Sequence, residues 1–134
     1  MLLSILIIVI GIAALILVHE LGHFLAAKYF GVPVEEFGFG FPPRILAKKI
    51  GETVYSLNWL PLGGFVKLYG EFTGDDPMSF VGQKAWRRAI VLVAGVTTNF
   101  IFGWLLLSAV FFVGAPSYVL VNQVLPDTVA ERAG

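Results

Sequence analysis

The two histidines of the chain stand four residues apart in the segment His19-Glu20-Leu21-Gly22-His23. Four residues advance an α-helix by about 400°, so both imidazoles would lie on one face, one turn apart. Two imidazoles at that spacing can bind one zinc ion, and Glu20 can then act as a general base without ligating the metal. The spacing predicts a zinc site that hydrolyses amides, with His19 and His23 as ligands and Glu20 as the catalytic acid/base.

A catalytic zinc site ordinarily has three protein ligands and one open position, so the histidine pair needs a further ligand. The absence of cysteine excludes thiolate ligands, cysteine nucleophiles and disulfides. No acidic residue follows His23 at the spacing of a gluzincin or metzincin extension, and the third ligand is not evident. The acidic residues between the two apolar runs are Glu35, Glu36, Glu52, Glu71, Asp75 and Asp76.

The composition around this motif is that of a membrane protein. Of 134 residues, 57% are hydrophobic and only 13% are charged, whereas a soluble domain carries about 25% charged residues. The same composition excludes intrinsic disorder, which requires a polar and charge-rich chain. The formal net charge is zero, so no basic field argues for nucleic acid as a partner.

Two long apolar runs are predicted to span the lipid bilayer. The first covers 1–31, with Pro33 as its stop, and the second covers 89–113. A secretory signal peptide is the alternative for the first run, but no Lys or Arg precedes it and His19-Glu20 follows its apolar part. Ionisable groups at the end of a span are costly and usually functional, which favours metal binding over a structural histidine pair.

The connection over 32–77 is predicted to be β-rich. Aromatic residues alternate with glycine over 37–41, as in a strand with one apolar face. Pro42-Pro43 is expected to break that strand, Ile50-Gly51-Glu52 to close a hairpin, and residues 61–64 to turn the chain again. The fold class is therefore α-helical and membrane-embedded, with a β-hairpin or sheet between two transmembrane helices.

Two further segments complete the predicted organisation. Residues 78–88 are expected to form an amphipathic helix in the membrane interface, with Phe80 and Trp86 turned toward lipid. Residues 117–134 read as a strand, a turn and a capping box that opens a helix. We expect this last segment to be the start of a small domain that the chain does not complete.

The placement of Lys and Arg predicts the orientation of the two spans. None precedes the first span, and the positive-inside rule then places the region 28–88 in the cytoplasm and both termini outside. In a bacterium this would be the inner membrane. Eight of the nine basic residues lie between the runs: Lys28, Arg44, Lys48, Lys49, Lys67, Lys84, Arg87 and Arg88.

Taken in order, these motifs resemble the N-terminal half of a bacterial site-2 protease of the regulator-of-sigma-E protease type. That family consists of intramembrane zinc metalloproteases. The resemblance covers essentially the whole chain and rests on HELGH at 19–23, FGFGFPPRI at 37–45, PLGGFVKLYGE at 61–71, Phe80, WRR at 86–88 and AGVTTN at 94–99.

The resemblance implies a zinc cofactor held by His19 and His23, catalysis by Glu20, and transmembrane proteins as substrates. It also implies that the connection is associated with the membrane and that the segment 61–70 is a membrane-associated β-hairpin region that engages unfolded substrate, although a purely structural hairpin remains the alternative. The residues expected to bind substrate are Gly63, Gly64, Phe65, Val66, Lys67 and Asn99. Asn99 has two further interpretations, since it either assists near the zinc or bonds only to the first helix.

The chain departs from the family pattern at two points. Val96 replaces the proline of the family's AGPxxN segment. The family's LDG motif, whose aspartate is the third zinc ligand, is absent, and the segment 117–134 resembles the opening of the PDZ domain that precedes it in the family. A non-catalytic pseudoprotease or substrate-binding module is therefore the alternative function. A metal-transporter subunit is disfavoured because Glu20 stands between the histidines.

Overall fold

The computed structural model describes residues 1–73 and 76–114 and contains two long helices that flank a sheet. In chain order the elements are α1 (Leu2–Tyr29), β1 (Val34–Ile50), β2 (Thr53–Leu68) and α2 (Ala85–Val113). The predicted domain start at 117–134 lies outside the described residues. The architecture of two apolar helices around a small sheet confirms the predicted fold class at that level.

Both helices are long and apolar enough to cross a bilayer. The 28 residues of α1 extend about 42 Å, against about 30 Å for the hydrocarbon core of a membrane. Most side chains in the first half of α1 are exposed, as expected where lipid is the solvent. α1 ends before Gly31, whose φ of 73° cannot continue a helix.

The sheet consists of two long strands where the sequence predicts several short ones. Pro42-Pro43 does not break β1, because both prolines fall in a register shift between Phe41 and Arg44, where no ladder hydrogen bond is lost. β2 likewise continues through 61–64, which was expected to turn. The hairpin at residues 50–52 is confirmed, with Gly51 at a φ of 62° in the turn.

Because β1 and β2 both bend, residues 36–39 of β1 and residues 54–57 of β2 each have a neighbouring strand segment on both sides. Phe37 lies between Val66 and Tyr55, and Tyr55 lies between Phe37 and Lys48. Across the sheet the order is therefore 64–68, 36–39, 54–57 and 46–50. Among the described residues, the segment 64–68 pairs only with the start of β1, so it forms one outer edge.

A small core joins the sheet to the inner ends of the two helices. Its buried members are Ala27, Val32, Val34, Leu68, Phe80 and Val91. An aromatic cluster adds a second contact between α1 and the sheet, because the ring of Phe24 lies 5.3 Å from that of Phe37 and 6.1 Å from that of Tyr55. These contacts hold the sheet against the end of α1 that carries the metal motif.

The predicted interfacial helix at 78–88 is not present. Residues 78–83 form turns, and the last residues of that segment are the first turn of α2. The Ser79 hydroxyl donates to the Asp76 carbonyl and accepts from the Gly82 amide, which stabilises the turns instead. Phe80 is 9% exposed rather than turned to lipid, because its amide donates to the Tyr69 carbonyl and ties it to the core.

Candidate metal centre

The two histidines of α1 face one another at the distance that a shared metal ion requires. Their Nε2 atoms lie 3.1 Å apart, and the rings are nearly perpendicular, at 81°. Two nitrogen ligands at about 2.0–2.1 Å from a tetrahedral zinc ion would be separated by about 3.3 Å. The ligand atoms of His19 and His23 are therefore at a suitable distance to bind one zinc ion. They lie this close because the two histidines are one helical turn apart, as the motif predicted.

The orientation of His23 depends on a backbone group of α2. Its Nδ1 lies 2.7 Å from the carbonyl oxygen of Val91, which can only accept a hydrogen bond. Nδ1 must then carry the ring hydrogen, and Nε2 keeps its lone pair for a metal. The sequence could not indicate this partner, because a backbone carbonyl is present in every residue and leaves no signal in the residue type.

Two glycines allow the helices to approach closely enough for that bond. A Cβ atom at Gly95 of α2 would overlap the rings of both His19 and His23. A Cβ atom at Gly22 of α1 would collide with the Thr98 hydroxyl and the Ala94 carbonyl. Gly95 is a second functional position that the sequence analysis missed. Its sequence signal is its place in the AGVTTN segment at 94–99, within an apolar span.

The same face of α2 supplies two polar side chains to α1. The Thr98 hydroxyl lies 3.0 Å from the Val18 carbonyl, immediately before the first histidine, and also approaches carbonyls within its own helix. The Asn99 amide lies 3.4 Å from Nδ1 of His19. Asn99, expected among the substrate-binding residues, is thus placed beside a metal-motif histidine.

Glu20 lies beneath the edge of the sheet. A Cβ atom at Gly64 would be 2.9 Å from Cγ of Glu20 and 3.2 Å from a methyl carbon of Ile16. Gly64 therefore lets the backbone of β2 contact the side chain predicted to act as the acid/base. Its neighbour Gly63 instead faces the ring of Phe41, where a Cβ would collide.

The remaining predicted substrate residues divide between the site and the outer surface. Val66 lines a cavity of about 140 Å³ together with His23, Leu68, Glu71, Val91 and Leu92. The ring of Phe65 packs over Gly38 within the sheet. Lys67 is exposed and forms an ion pair with Glu35 at 2.7 Å, and this hydrogen bond and its charge raise the pKa of Lys67 above its ordinary 10.5.

The described residues bring no third ligand to the histidine pair. Within 1–73 and 76–114 no group of three or more histidine, cysteine, aspartate or glutamate side chains is placed to hold a metal ion. Glu71 lines the same small cavity as His23, but its side chain is exposed. The described part of the chain therefore provides two ligands of a site that needs three.

Comparison with known proteins agrees with this geometry. Residues 7–132 match the model of Peptidase family M50. Relatives named "Putative zinc metalloprotease" include one from Clostridium perfringens, 38% identical over 93% of this chain, and one from Vibrio cholerae, 37% identical over 94%. A third, from Synechocystis, is 38% identical over 92%.

The aligned region is a minor part of each relative. It covers 38% of the Clostridium protein, 29% of the Vibrio protein and 36% of the Synechocystis protein. The resemblance to site-2 proteases is nevertheless confirmed at the level of the family, because the match extends over nearly the whole chain and includes the histidine pair and Glu20. This chain belongs to Peptidase family M50.

Proposed function

We propose that the chain forms the part of a zinc-dependent intramembrane endopeptidase that carries two of its metal ligands. The observation that supports this most directly is the pair of Nε2 atoms of His19 and His23, 3.1 Å apart, with Glu20 beside them under the sheet edge. His19 and His23 would hold zinc. When bound, zinc polarises a substrate carbonyl and makes water a stronger acid.

Glu20 moves the proton in this proposal. Its carboxylate takes a proton from the attacking water and delivers it to the amine nitrogen that leaves when the peptide bond breaks. Its position beneath Gly64 supports the role, because a peptide lying along that edge would run close to the Glu20 side chain.

The outer edge 64–68 binds the substrate as an added strand. Backbone hydrogen bonds would hold an extended peptide there with little dependence on its sequence, and the small cavity beside Val66 and His23 would receive one side chain. A helical substrate must unwind before it can bind, because its carbonyls are already bonded within the helix. Gly64 keeps this edge close to α1, because a Cβ atom there would meet Glu20 and Ile16.

The substrates would be single-pass membrane proteins already shortened outside, such as anti-sigma factors, or remnant signal peptides. The excess of Lys and Arg between the helices supports a cytoplasmic sheet, with both ends of the chain on the outer side of the bacterial inner membrane. The metal centre would then lie near the cytoplasmic end of α1, where an unwound substrate segment can reach it.

The test is the substitution Glu20→Gln in the whole protein, with cleavage of a transmembrane substrate and zinc content measured together. Cleavage should fall by about 100-fold or more, the usual contribution of a general base, while zinc remains bound. Glu52→Gln, at the exposed hairpin turn, is the matched control and should cleave normally. Undiminished cleavage by the Glu20 variant would rule out this role.

The alternative is a non-catalytic membrane module, and one observation favours it. The described residues contain only two ligand side chains at the site, and two ligands would bind zinc weakly. Zinc analysis of the purified 134-residue chain discriminates between the two functions. Tight, stoichiometric zinc together with peptide cleavage would exclude the non-catalytic module and would require a third ligand within these residues.

A further inference from the structure

The side chain of Asn99 is placed to orient one of the proposed zinc ligands. Asn99 lies on α2, 80 residues from His19, and its amide is 3.4 Å from Nδ1 of that histidine. Among the described residues, this amide is the side-chain group within hydrogen-bond distance of Nδ1 of His19. The Val91 carbonyl occupies the equivalent position at Nδ1 of His23.

The chemistry of metal binding decides which amide atom faces the ring. A histidine that ligates through Nε2 carries its hydrogen on Nδ1, so Nδ1 must be a donor. In the orientation above, Nδ2 of Asn99 faces Nδ1, which sets one donor against another. The other amide atom, Oδ1, is buried and accepts no hydrogen bond from a described residue.

A half-turn of the amide removes that conflict. The nitrogen and oxygen of an asparagine side chain have nearly the same shape, so their assignment follows from the hydrogen bonds they make. With Oδ1 toward His19, the N–H group at Nδ1 donates to the amide oxygen. His19 and His23 then each donate to an oxygen of α2, one from a side chain and one from the backbone.

We infer that Asn99 is a positioning residue, whose amide oxygen accepts from Nδ1 of His19 and thereby holds Nε2 toward the metal. This inference rests on the proposed zinc site and assigns Asn99 to the ligand rather than to the substrate. Loss of such a partner weakens metal binding roughly 10- to 100-fold. The position should therefore affect zinc affinity directly.

The test compares zinc affinity, by competition with a chelator, in the whole protein and four variants in detergent micelles, one of which is His19→Ala. Asn99→Leu keeps the approximate volume but removes the acceptor, and should bind zinc roughly 10- to 100-fold more weakly. Asn99→Asp keeps an acceptor and has no donor, and should retain the wild-type affinity. Thr97→Val, on the exposed side of the same helix, is the control and should be unchanged.

The outcomes separate this inference from the proposed function. If the wild-type protein binds no zinc, or His19→Ala leaves binding intact, the zinc site itself is wrong. If the wild type binds zinc and Asn99→Leu binds it equally well, the positioning role is overturned. Equal losses in Asn99→Asp and Asn99→Leu would also overturn it, because the acceptor would then not matter. The visible spectrum of the cobalt-substituted protein should change in Asn99→Leu and stay unchanged in Thr97→Val.

Discussion

The helix pair and the sheet hold their functional residues in different ways. Where α1 meets α2, backbone groups and histidine nitrogens contact one another and the side chains of Thr98 and Asn99, and the helices approach most closely at Gly22 and Gly95. In the sheet, Glu36 accepts from Arg44 and Ser56, and Lys67 pairs with Glu35 at the surface. The helix contact has no room for an added carbon at these glycines, whereas the exposed Lys67–Glu35 pair of the sheet can exchange its partners with solvent.

The largest effect is expected where the helix pair meets the histidines. Gly95→Ala adds one carbon that overlaps both imidazoles and would displace them. Zinc affinity should therefore fall by about 100-fold, which is the upper end of the loss seen when a metal-ligating histidine loses its hydrogen-bond partner. Gly103→Ala, on the same helix, adds a Cβ that meets no described atom within 4 Å and is the control. Chelator competition on both variants measures the difference, and equal affinities would contradict the packing described above.

A smaller effect is expected on the stability of the helix pair. Gly22→Ala places a Cβ against the Ala94 carbonyl and should lower the free energy of unfolding by about 1–3 kcal/mol, the usual cost of overpacking. Gly11→Ala meets no described atom within 4 Å and should be neutral or stabilising, because alanine favours a helix by up to about 1 kcal/mol over glycine. Denaturant titration in micelles compares the two, and an unaffected Gly22→Ala protein would show that the helices are not in close contact.

The smallest effect is expected at the sheet edge, as a pH dependence. The Glu35 carboxylate raises the pKa of Lys67, so the ion pair stabilises the fold below the ordinary pKa of 10.5 and is lost as the pH rises through the raised value. Thermal unfolding measured below and above that pH should show a small alkaline loss of stability. Lys67→Ala should reduce this alkaline loss of stability. Added salt should also reduce it, because the Lys67–Glu35 ion pair is exposed and salt screens its charges.

Tyr69 contributes in the same pH range and must be separated from Lys67. Its hydroxyl donates to Asp76, and that bond raises its pKa above the ordinary 10.0, so its contribution is also lost at high pH. Tyr69→Phe removes this contribution and leaves the Lys67 step in place. An alkaline loss of stability that persists unchanged in the double variant would contradict both assignments.

The parts of the molecule that sequence reasoning predicted are those governed by local spacing. The two helices, the hairpin at Gly51 and the shared face of His19 and His23 follow from apolar runs, turn residues and the helical repeat. The two short strands expected on either side of Pro42-Pro43 are joined, because whether a proline interrupts a strand depends on the partner across the sheet.

The parts that could not be predicted depend on residues far apart in the chain. The partners of His23 and His19 on α2 are 68 and 80 residues away. No local pattern indicates the Val91 carbonyl, and for Asn99 the sequence suggested a bond to the first helix without indicating His19 as its partner. Phe80 had the pattern of an interfacial residue but is buried, because the turn before α2 is bonded to the end of β2. At Phe80 tertiary contacts overruled the local pattern, whereas the partners on α2 are set by tertiary contacts alone.

The hydrogen bond from His23 to the Val91 carbonyl has a consequence for mutational studies. An alanine scan replaces side chains and leaves every carbonyl in place. At position 91, therefore, a scan of α2 would report only the packing of the buried Val91 side chain. One of the two oxygens that orient the histidine pair would go undetected by such a scan. Replacing the amide bond between Val91 and Leu92 by an ester would reveal the role of this carbonyl oxygen, because an ester carbonyl is a weaker hydrogen-bond acceptor than an amide carbonyl.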